Sequence, residues 1–427
     1  MSAHQDTEPG LSLLIDAPDA QPALLHSGLA SLEHGQPIGP DTAFNTGSVA
    51  KQITAHLTLL AARDELLRLD QPAADLLPRL KISDITVADL ITHRSGLRDA
   101  ESLLSLAGFR DLDHYTADDL RTLAYQQHQR ALPHGAFLYS NTNYLLLAEI
   151  LETVHRTPLP DLAHRDVFTP LGMHGTHFKA DPRQVVPRAA SAYQATDHGW
   201  QHTQGPATVP GSGSLWSTPG DLDRWLTHLH HTWQHQQLPW QDTLAYTPSD
   251  HTPYLYGPGL YASTRGDDAA VFHYGHEQGF SAAVHLESGG LRVLCLSNNT
   301  DAPADHVTAA VLENLRAHPS AGHGQVLAEA AKTRRPTRPT PPTRDESGPH
   351  TDMGTFTCDQ APGSLRLTRT TDTLHLWRRG TRDPLTRSGP DTYSGNGYTL
   401  TLPDSTDSVG SFTLDLKRAP GLQYIRQ

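Results

Sequence analysis

Ser48 and Lys51 stand three residues apart in TAFNTGSVAKQITAHLTLLAARDELL, and this pair is the first feature of the chain able to do chemistry. On a helix, residues at that spacing share a face about one turn apart. A serine hydroxyl is a weak nucleophile until a base lies within hydrogen-bond reach, and a lysine desolvated by burial can supply that base. Asn45 and Thr46 are capping types just upstream, and Ile53, Leu57 and Leu60 extend a helical apolar stripe. The serine is therefore expected in the first turn, where unpaired backbone N–H groups and the positive dipole end favour developing negative charge. Taken alone, such a pair more often marks a capped surface helix than a nucleophile.

Two further groups follow in order. Tyr139-Ser140-Asn141 lies in a loop leading into the strongly helical NYLLLAEILETVHR, and His273-Tyr274-Gly275, with His276 next, falls on a predicted strand. Tyr139 can act as a base if Lys51 stabilises its phenolate, and it can later protonate a leaving group. Asn141 offers an amide to hold a substrate's backbone and Lys51 together. The strand at 273–275 would form the far wall, with Gly275 allowing a substrate close to its backbone. Singly, these residues have blander readings: Tyr139 a half-buried aromatic, Asn141 a helix cap, His273 an exposed strand residue. The three together outweigh those readings.

The elements that must hold them read as one large α/β (α+β) unit. Strands are predicted at GLSLLIDA and ALLHSGLASL, then the Ser48 helix, then a helix ending at His93-Arg94-Ser95-Gly96-Leu97, where Gly96 suits a C-cap. A polar, helical and loop-rich insertion covers roughly 100–130. The stretch VPGSGSLWSTPGDLDRWL contains a flexible loop by composition, and Ser217 or Thr218 caps a helix starting at Pro219. Strands near 269–275, 280–288 and 291–298, the last two joined by Gly289-Gly290, precede the closing helix DHVTAAVLENLRA. Composition divides the chain into residues 1–318, a Pro-, Thr- and Arg-rich linker at 319–349, and residues 350–427. The last part alternates with period two (Leu365/Leu367, Leu374/Leu376, Tyr398/Leu400/Leu402, Phe412/Leu414/Leu416, Leu422/Tyr424). Turns at Thr371-Asp372, Ser394–Gly397 and Pro403-Asp404 separate these runs, which predicts a small antiparallel sheet or barrel.

In order and spacing, Ser48-x-x-Lys51, Tyr139-Ser140-Asn141 and His273-Tyr274-Gly275 resemble the penicillin-recognising serine hydrolases. That family includes class C β-lactamases, family VIII-type carboxylesterases, DD-peptidases and D-aminopeptidases. The resemblance spans about residues 9–317 and is supported by ITHRSGL, YSNTNYLLLAEILE, FTPLGMHGTHF and HYGHEQGFSA. It implies a β-lactamase/transpeptidase-like fold and a cofactor-free, acyl-enzyme mechanism. By position, His276 would supply the second oxyanion N–H beside that of Ser48; losing such a donor typically costs about 10²–10³ in rate. The same resemblance places the GSGSLWST loop at the edge of the site. Where β-lactamases and DD-peptidases carry Lys-Thr-Gly, this chain has His-Tyr-Gly, similar to the His-x-Gly of D-aminopeptidases and some esterases. A histidine is mostly neutral at pH 7, so a fixed cation for a substrate carboxylate is weakened there. Small esters or amides, and D-amino-acid amides or peptides among them, are therefore the expected substrates. Carboxylesterase or β-lactamase activity and a catalytically silent binding protein are the alternatives.

Composition sets the limits. With 33 Lys+Arg against 46 Asp+Glu, the net charge of −13 and the lack of a long basic block argue against nucleic acid as a partner. No apolar run approaches ~18 residues, so no membrane span is expected. The start MSAHQDTEPG lacks the pattern of a signal peptide, and two cysteines, Cys295 and Cys358, read as core residues of a reducing compartment. A cytoplasmic enzyme acting on small molecules or short peptides is the expectation. His228, His230, His231 and His235 lie on an amphipathic segment and read as a solvated helix face, with no metal or cofactor implied.

Overall fold

Strand Leu11–Asp16 (LSLLID) is apolar on both sides, because Leu11, Leu13 and Ile15 project one way and Leu14 the other. A strand of that kind must lie inside a sheet covered on both faces. In the computed structural model it lies between Ala23–Ser27 and Arg292–Ser297, with Leu13 opposite Leu25 and Cys295. The full eight-stranded antiparallel order is Thr247–Pro248, Leu255–Tyr256, Tyr261–Ser263, Ala270–Glu277, Phe280–Glu287, Arg292–Ser297, Leu11–Asp16, Ala23–Ser27. The structure describes residues 7–335 and 350–427, except 19, 110–112, 204, 206–207, 236–246, 252, 264–268, 372 and 404–408. The linker residues 336–349 and the turn residues Asp372 and Asp404 lie outside the described residues.

One face of the sheet is covered by helix Ala304–Ala317, whose Val307 and Val311 meet Leu11, Ala283 and Cys295. Helix His323–Ala330 joins the same layer through Val326, Leu327 and Ala330. That helix falls in the stretch whose composition reads as the start of a linker; its apolar face makes it part of the first domain's core. The other face carries Ala282, Val284, Leu294 and Leu296 against helices Ala50–Arg63, Asn141–His155 and Pro219–His235. A fully buried leucine or valine contributes about 1.5–3 kcal/mol, so this two-sided core holds the central strands rigidly. Thr218 caps the Pro219 helix, accepting from the Asp221 N–H at 3.2 Å.

Helix Ala50–Arg63 is buried almost all round, beyond the single stripe its sequence suggests. Several of its polar groups find partners inside: Thr54 donates to Gly211 O at 2.9 Å, Thr58 to Thr54 O at 2.8 Å, and Gln52 Oε1 accepts from Trp225 at 2.8 Å. After the short helix Val87–Ile91, the left-handed residue at the helix end is His93 (φ 59°), with Gly96 (φ 72°) a second such position in the same turn. The histidine-rich helix face is only partly solvated. His228 packs at 5.3 Å on His56 and His230 hydrogen-bonds Ser288 O at 3.2 Å, while His231 and His235 are exposed.

Residues 351–426 form a closed antiparallel eight-stranded barrel, sealed where Phe356 and Thr357 pair with Arg426 and Ile425. The period-two leucines fill its interior together with Phe356, Phe412 and Tyr424. A register shift between Leu414 and Leu416 leaves Leu416 only partly buried, the one break in that alternation. The barrel does not hang free. Its core is continuous with Leu103, Leu104, Leu106, Leu120 and Leu123 of helices Ala100–Leu106 and Ala117–Gln126. Arg98 bonds Pro420 O at 2.8 Å, Gly421 O at 3.3 Å and Gln360 Oε1 at 3.2 Å. Cys295 and Cys358 are both buried and free.

Candidate active site

Ser48 lies in a 3₁₀ turn, Gly47–Val49, that runs directly into helix Ala50–Arg63. Three contacts fix that turn. Asn45 Oδ1 accepts from Gly47 N–H at 3.0 Å, and Leu215 O accepts from the Thr46 N–H at 2.8 Å and its hydroxyl at 3.0 Å. The third is close packing against strand Ala270–Glu277. Gly47 has φ +50°, and a Cβ added there would lie 2.9 Å from His276 N. A Cβ on Gly275 would lie 1.9 Å from Thr46 O and 2.9 Å from Ser48 N. Gly275 thus admits the backbone of the Ser48 turn itself, where the sequence suggested close approach of substrate. His276 contributes its backbone nitrogen to this junction; its half-exposed ring turns away toward Asp305 at 3.7 Å.

Lys51 is fully buried and makes three polar contacts: Ser48 Oγ at 3.0 Å, Asn141 Oδ1 at 2.7 Å and Ser212 O at 2.7 Å. All three donors of an ammonium are thereby used, and loss of one proton leaves a lone pair for the serine hydroxyl. Burial takes the Lys51 ammonium down to about 7, the Arg418 guanidinium pushes the same way, and Glu101, Asp99 and Glu277 oppose them. Ser212 belongs to the GSGSLWST stretch. That stretch is a structured wall: Leu215–Ser217 pairs as a strand with Phe44–Asn45.

Asn141 opens its helix with its backbone N–H donated to Asp99 Oδ2 at 2.7 Å and its Nδ2 donated to Glu101. Its oxygen is thereby turned to Lys51. Glu101 is raised above the ordinary carboxyl range by burial and by Asp99, against hydrogen bonds from Asn141 and Tyr115. Burial also lifts Glu277, which accepts from Ser214 N–H at 3.1 Å, to about 7.

Tyr139 is buried with its ring under two cations, Lys51 Nζ at 5.1 Å and the Arg418 guanidinium at 4.6 Å from its centroid. Burial pushes its phenol up, while Arg418 and a hydrogen bond with Ser48 pull it back. The ring of His93 lies 4.3 Å from that of Tyr139. His93 accepts at Nδ1 from Asn143 Nδ2 at 2.9 Å and from Ser140 N–H at 3.3 Å, which fixes the Tyr139 loop.

His273 is buried, not an exposed strand residue, in an aromatic wall of Tyr139, Tyr256, Tyr261 and Phe272. Its Nδ1–H donates to Tyr274 O at 2.7 Å, leaving Nε2 to accept from the Tyr256 hydroxyl at 3.3 Å. Burial and the Lys51 charge lower it to about 3, so the ring is neutral throughout the physiological range.

The structure therefore gathers Ser48, Lys51, Tyr139, Asn141 and Gly275 at one place, with the His273 ring in the wall and only the backbone of His276. Glu101, Glu277, His93, Ser212 and Arg418 were not singled out from sequence. Of these, His93 lies in ITHRSGL, Ser212 in GSGSLWST and Glu277 in HYGHEQGFSA, stretches already tied to the resemblance, whereas Glu101 and Arg418 fall in none of them. Among the described residues no helix is long and apolar enough to cross a membrane.

A family model described as Beta-lactamase matches residues 3–318. A D-aminopeptidase of Gluconobacter oxydans (strain 621H) is 27% identical over 285 residues, covering 64% of this chain and 53% of that one. The chain thus spans about half the length of this relative. A solved octameric penicillin-binding protein homologue from Pyrococcus abyssi superposes with TM-score 0.63 at 18% identity, covering 99% of this chain and 96% of that one. The D-amino acid amidase of Ochrobactrum anthropi SV3 gives TM-score 0.58 at 23% identity, covering 68% of this chain and 86% of that one. With three quarters of its length matched by one family model, the chain belongs to the beta-lactamase family.

Proposed function

We propose that this chain is a serine hydrolase that forms an acyl-enzyme on Ser48 and acts on D-amino-acid amides or short peptides. The observation that carries this reading is the fully buried Lys51, held to about 7 and lying 3.0 Å from Ser48 Oγ. A lysine in that state is half neutral near pH 7, while Tyr139 remains a phenol. Lys51 therefore takes the serine proton and Tyr139 serves as the acid. Ser48 Oγ attacks the substrate carbonyl carbon, and its proton passes to Lys51. The oxyanion is met by the N–H groups of Ser48 and His276. The carbon–nitrogen bond breaks as Tyr139 gives its proton to the leaving amine. Water then attacks the ester carbonyl, its proton going to the Tyr139 phenolate, and Ser48 leaves with the proton held by Lys51. Asn141, locked by Asp99 and Glu101, orients Lys51 and borders the acyl group.

The substrate class is supported by the D-aminopeptidase relative and by the neutral His273, which provides no fixed cation on its strand. The division into a hydrolase unit at 1–318 and a barrel unit at 350–427 belongs to the same proposal, as does a cytoplasmic setting. The test is a fluorophosphonate probe with mass mapping, followed by D- and L-amino-acid anilides, p-nitrophenyl esters and nitrocefin, with Ser48→Ala as blank. Labelling at Ser48 and faster turnover of D- than L-anilides are expected. An unlabelled Ser48, or wild-type rates in the Ser48→Ala variant, would end this reading.

A further inference from the structure

Strand Ala270–Glu277 brings no fixed cation to the site, yet one is present from elsewhere. The hairpin between barrel strands Ser411–Leu416 and Ala419–Arg426 reaches across to the hydrolase domain with Lys417 and Arg418 at its tip. Lys417 pairs with Asp250 at 3.0 Å, and Arg418 O accepts from the Asp99 N–H at 2.9 Å. Arg98 holds two carbonyls just beyond it, Pro420 O at 2.8 Å and Gly421 O at 3.3 Å. The hairpin is thus fixed by its backbone and by Lys417, and the Arg418 side chain is left to point inward over the Tyr139 ring.

Arg418 is exposed. Among the described residues its guanidinium makes no ion pair with a carboxylate; Asp99 and Glu101 act on it only from a distance. A planar, always-charged fork open to a cleft suits bidentate carboxylate recognition. Its side of the cleft is defined by Tyr139, the residue assigned to protonate the leaving amine. In an amino acid the carboxylate carbon lies only about 2.5 Å from the amine nitrogen, across one Cα. A leaving amino acid whose nitrogen meets the Tyr139 hydroxyl would therefore carry its carboxylate toward the Arg418 fork.

We propose that Arg418, delivered by the barrel, is a specificity-determining residue that binds a carboxylate on the leaving side of the scissile bond. Peptides cut immediately before a free C-terminal residue are then preferred over the same peptides with a capped end. This rests on the serine hydrolase reading above and adds a residue from the second domain to it.

The full-length protein is assayed on D-phenylalanyl-D-alanine and its C-terminal amide, in wild type, Arg418→Gln, Arg418→Lys and Lys417→Ala. The free acid should be preferred by wild type in kcat/KM. Arg418→Gln should lower the acid-to-amide ratio by about 10- to 100-fold, chiefly through KM, as expected for losing a hydrogen bond to a charged group. Arg418→Lys should keep much of the preference. Lys417→Ala loosens docking without removing the guanidinium and should leave the ratio close to that of wild type. In the unaltered protein, D-alanine should slow fluorophosphonate labelling of Ser48 more than D-alaninamide does, a readout that needs no variant to fold. An unmoved ratio in Arg418→Gln, equal wild-type rates on the two peptides, or turnover of neither by a protein whose Ser48 is labelled would each overturn the proposal. Failure of the underlying reading looks different, because Ser48 would then not be labelled at all.

Discussion

Replacing Gly275 by alanine adds a methyl group to a junction where two backbones already touch. The new Cβ would sit 1.9 Å from Thr46 O and 2.9 Å from Ser48 N. To pass beyond 3.0 Å, the carbonyl of Thr46 has to retreat by roughly 1 Å. The strand cannot yield in its place, because Gly275 pairs with Ala282 in the middle of a sheet covered on both faces. The Ser48 turn must move instead, taking the hydroxyl away from Lys51 and opening the gap between the N–H groups of Ser48 and His276. A misplacement of about 1 Å at a reacting group costs about 10²-fold in rate, and forced overpacking costs about 1–3 kcal/mol of stability. The assay is the rate of fluorophosphonate labelling together with kcat/KM on the best substrate, beside urea unfolding of the same preparation. A labelling rate within about threefold of wild type would refute the geometric reasoning.

Labelling of Ser48 should also rise with pH, about tenfold per unit below 7 and levelling above it, because the neutral Lys51 amine is the form that accepts the proton; a flat profile, or a midpoint near the ordinary lysine value of 10.5, would contradict that role. Arg98→Ala should lower stability by about 2–4 kcal/mol in urea unfolding, since it strips the partners from Pro420 O and Gly421 O at the joint between domains; a loss under about 0.5 kcal/mol would place the docking energy in the shared apolar core alone.

Lys51 and Glu277, both brought to about 7, have a joint effect on stability. The folded-state pKa of Lys51 is lowered, from 10.5 to about 7, so between those values the unfolded chain binds more protons and this group's contribution improves as pH rises. Glu277 is raised from 4.5 to about 7, so its contribution worsens as pH climbs across that window. Their sum is least favourable near pH 7. The burial that brings both groups to about 7 is thus set against the stability of the fold that holds them.

Local chemistry was readable from the sequence because it is written in short spacings. Ser48 and Lys51 share a turn, Tyr139 and Asn141 flank a helix start, and the leucines of the barrel alternate as their strands require. The supports were not readable, because topology alone brings them near. Lys51 is held by residues 90 and 161 positions away, and in the second case the acceptor is the Ser212 carbonyl, which any residue would provide. The charge on Arg418 had no meaning until the barrel was seen to dock on the helices after Asp99. Of the histidines, His273 was read as mostly neutral and is so, but it is buried where the residue taken singly suggested an exposed strand position; His276 enters through its backbone, as its place after Gly275 suggested. Gly96 was a reasonable stop signal, but the left-handed turn began at His93, where contacts with Tyr139 and Asn143 compensate for the unfavourable backbone.

The docked hairpin also sets an order of events during synthesis. Ser48 emerges before the strand beside it, which pairs only when residues 270–277 and their neighbours arrive, and strand Leu11–Asp16 finds its partner only at Arg292–Ser297. Arg418 comes later still, after nearly the whole barrel. Contacts so distant in sequence are slow to form, and the nascent chain carries an unfinished sheet until those partners arrive. A truncated product would therefore hold the serine and its lysine without the far side of the cleft. Assembly of the cleft thus waits on the barrel hairpin that carries Arg418.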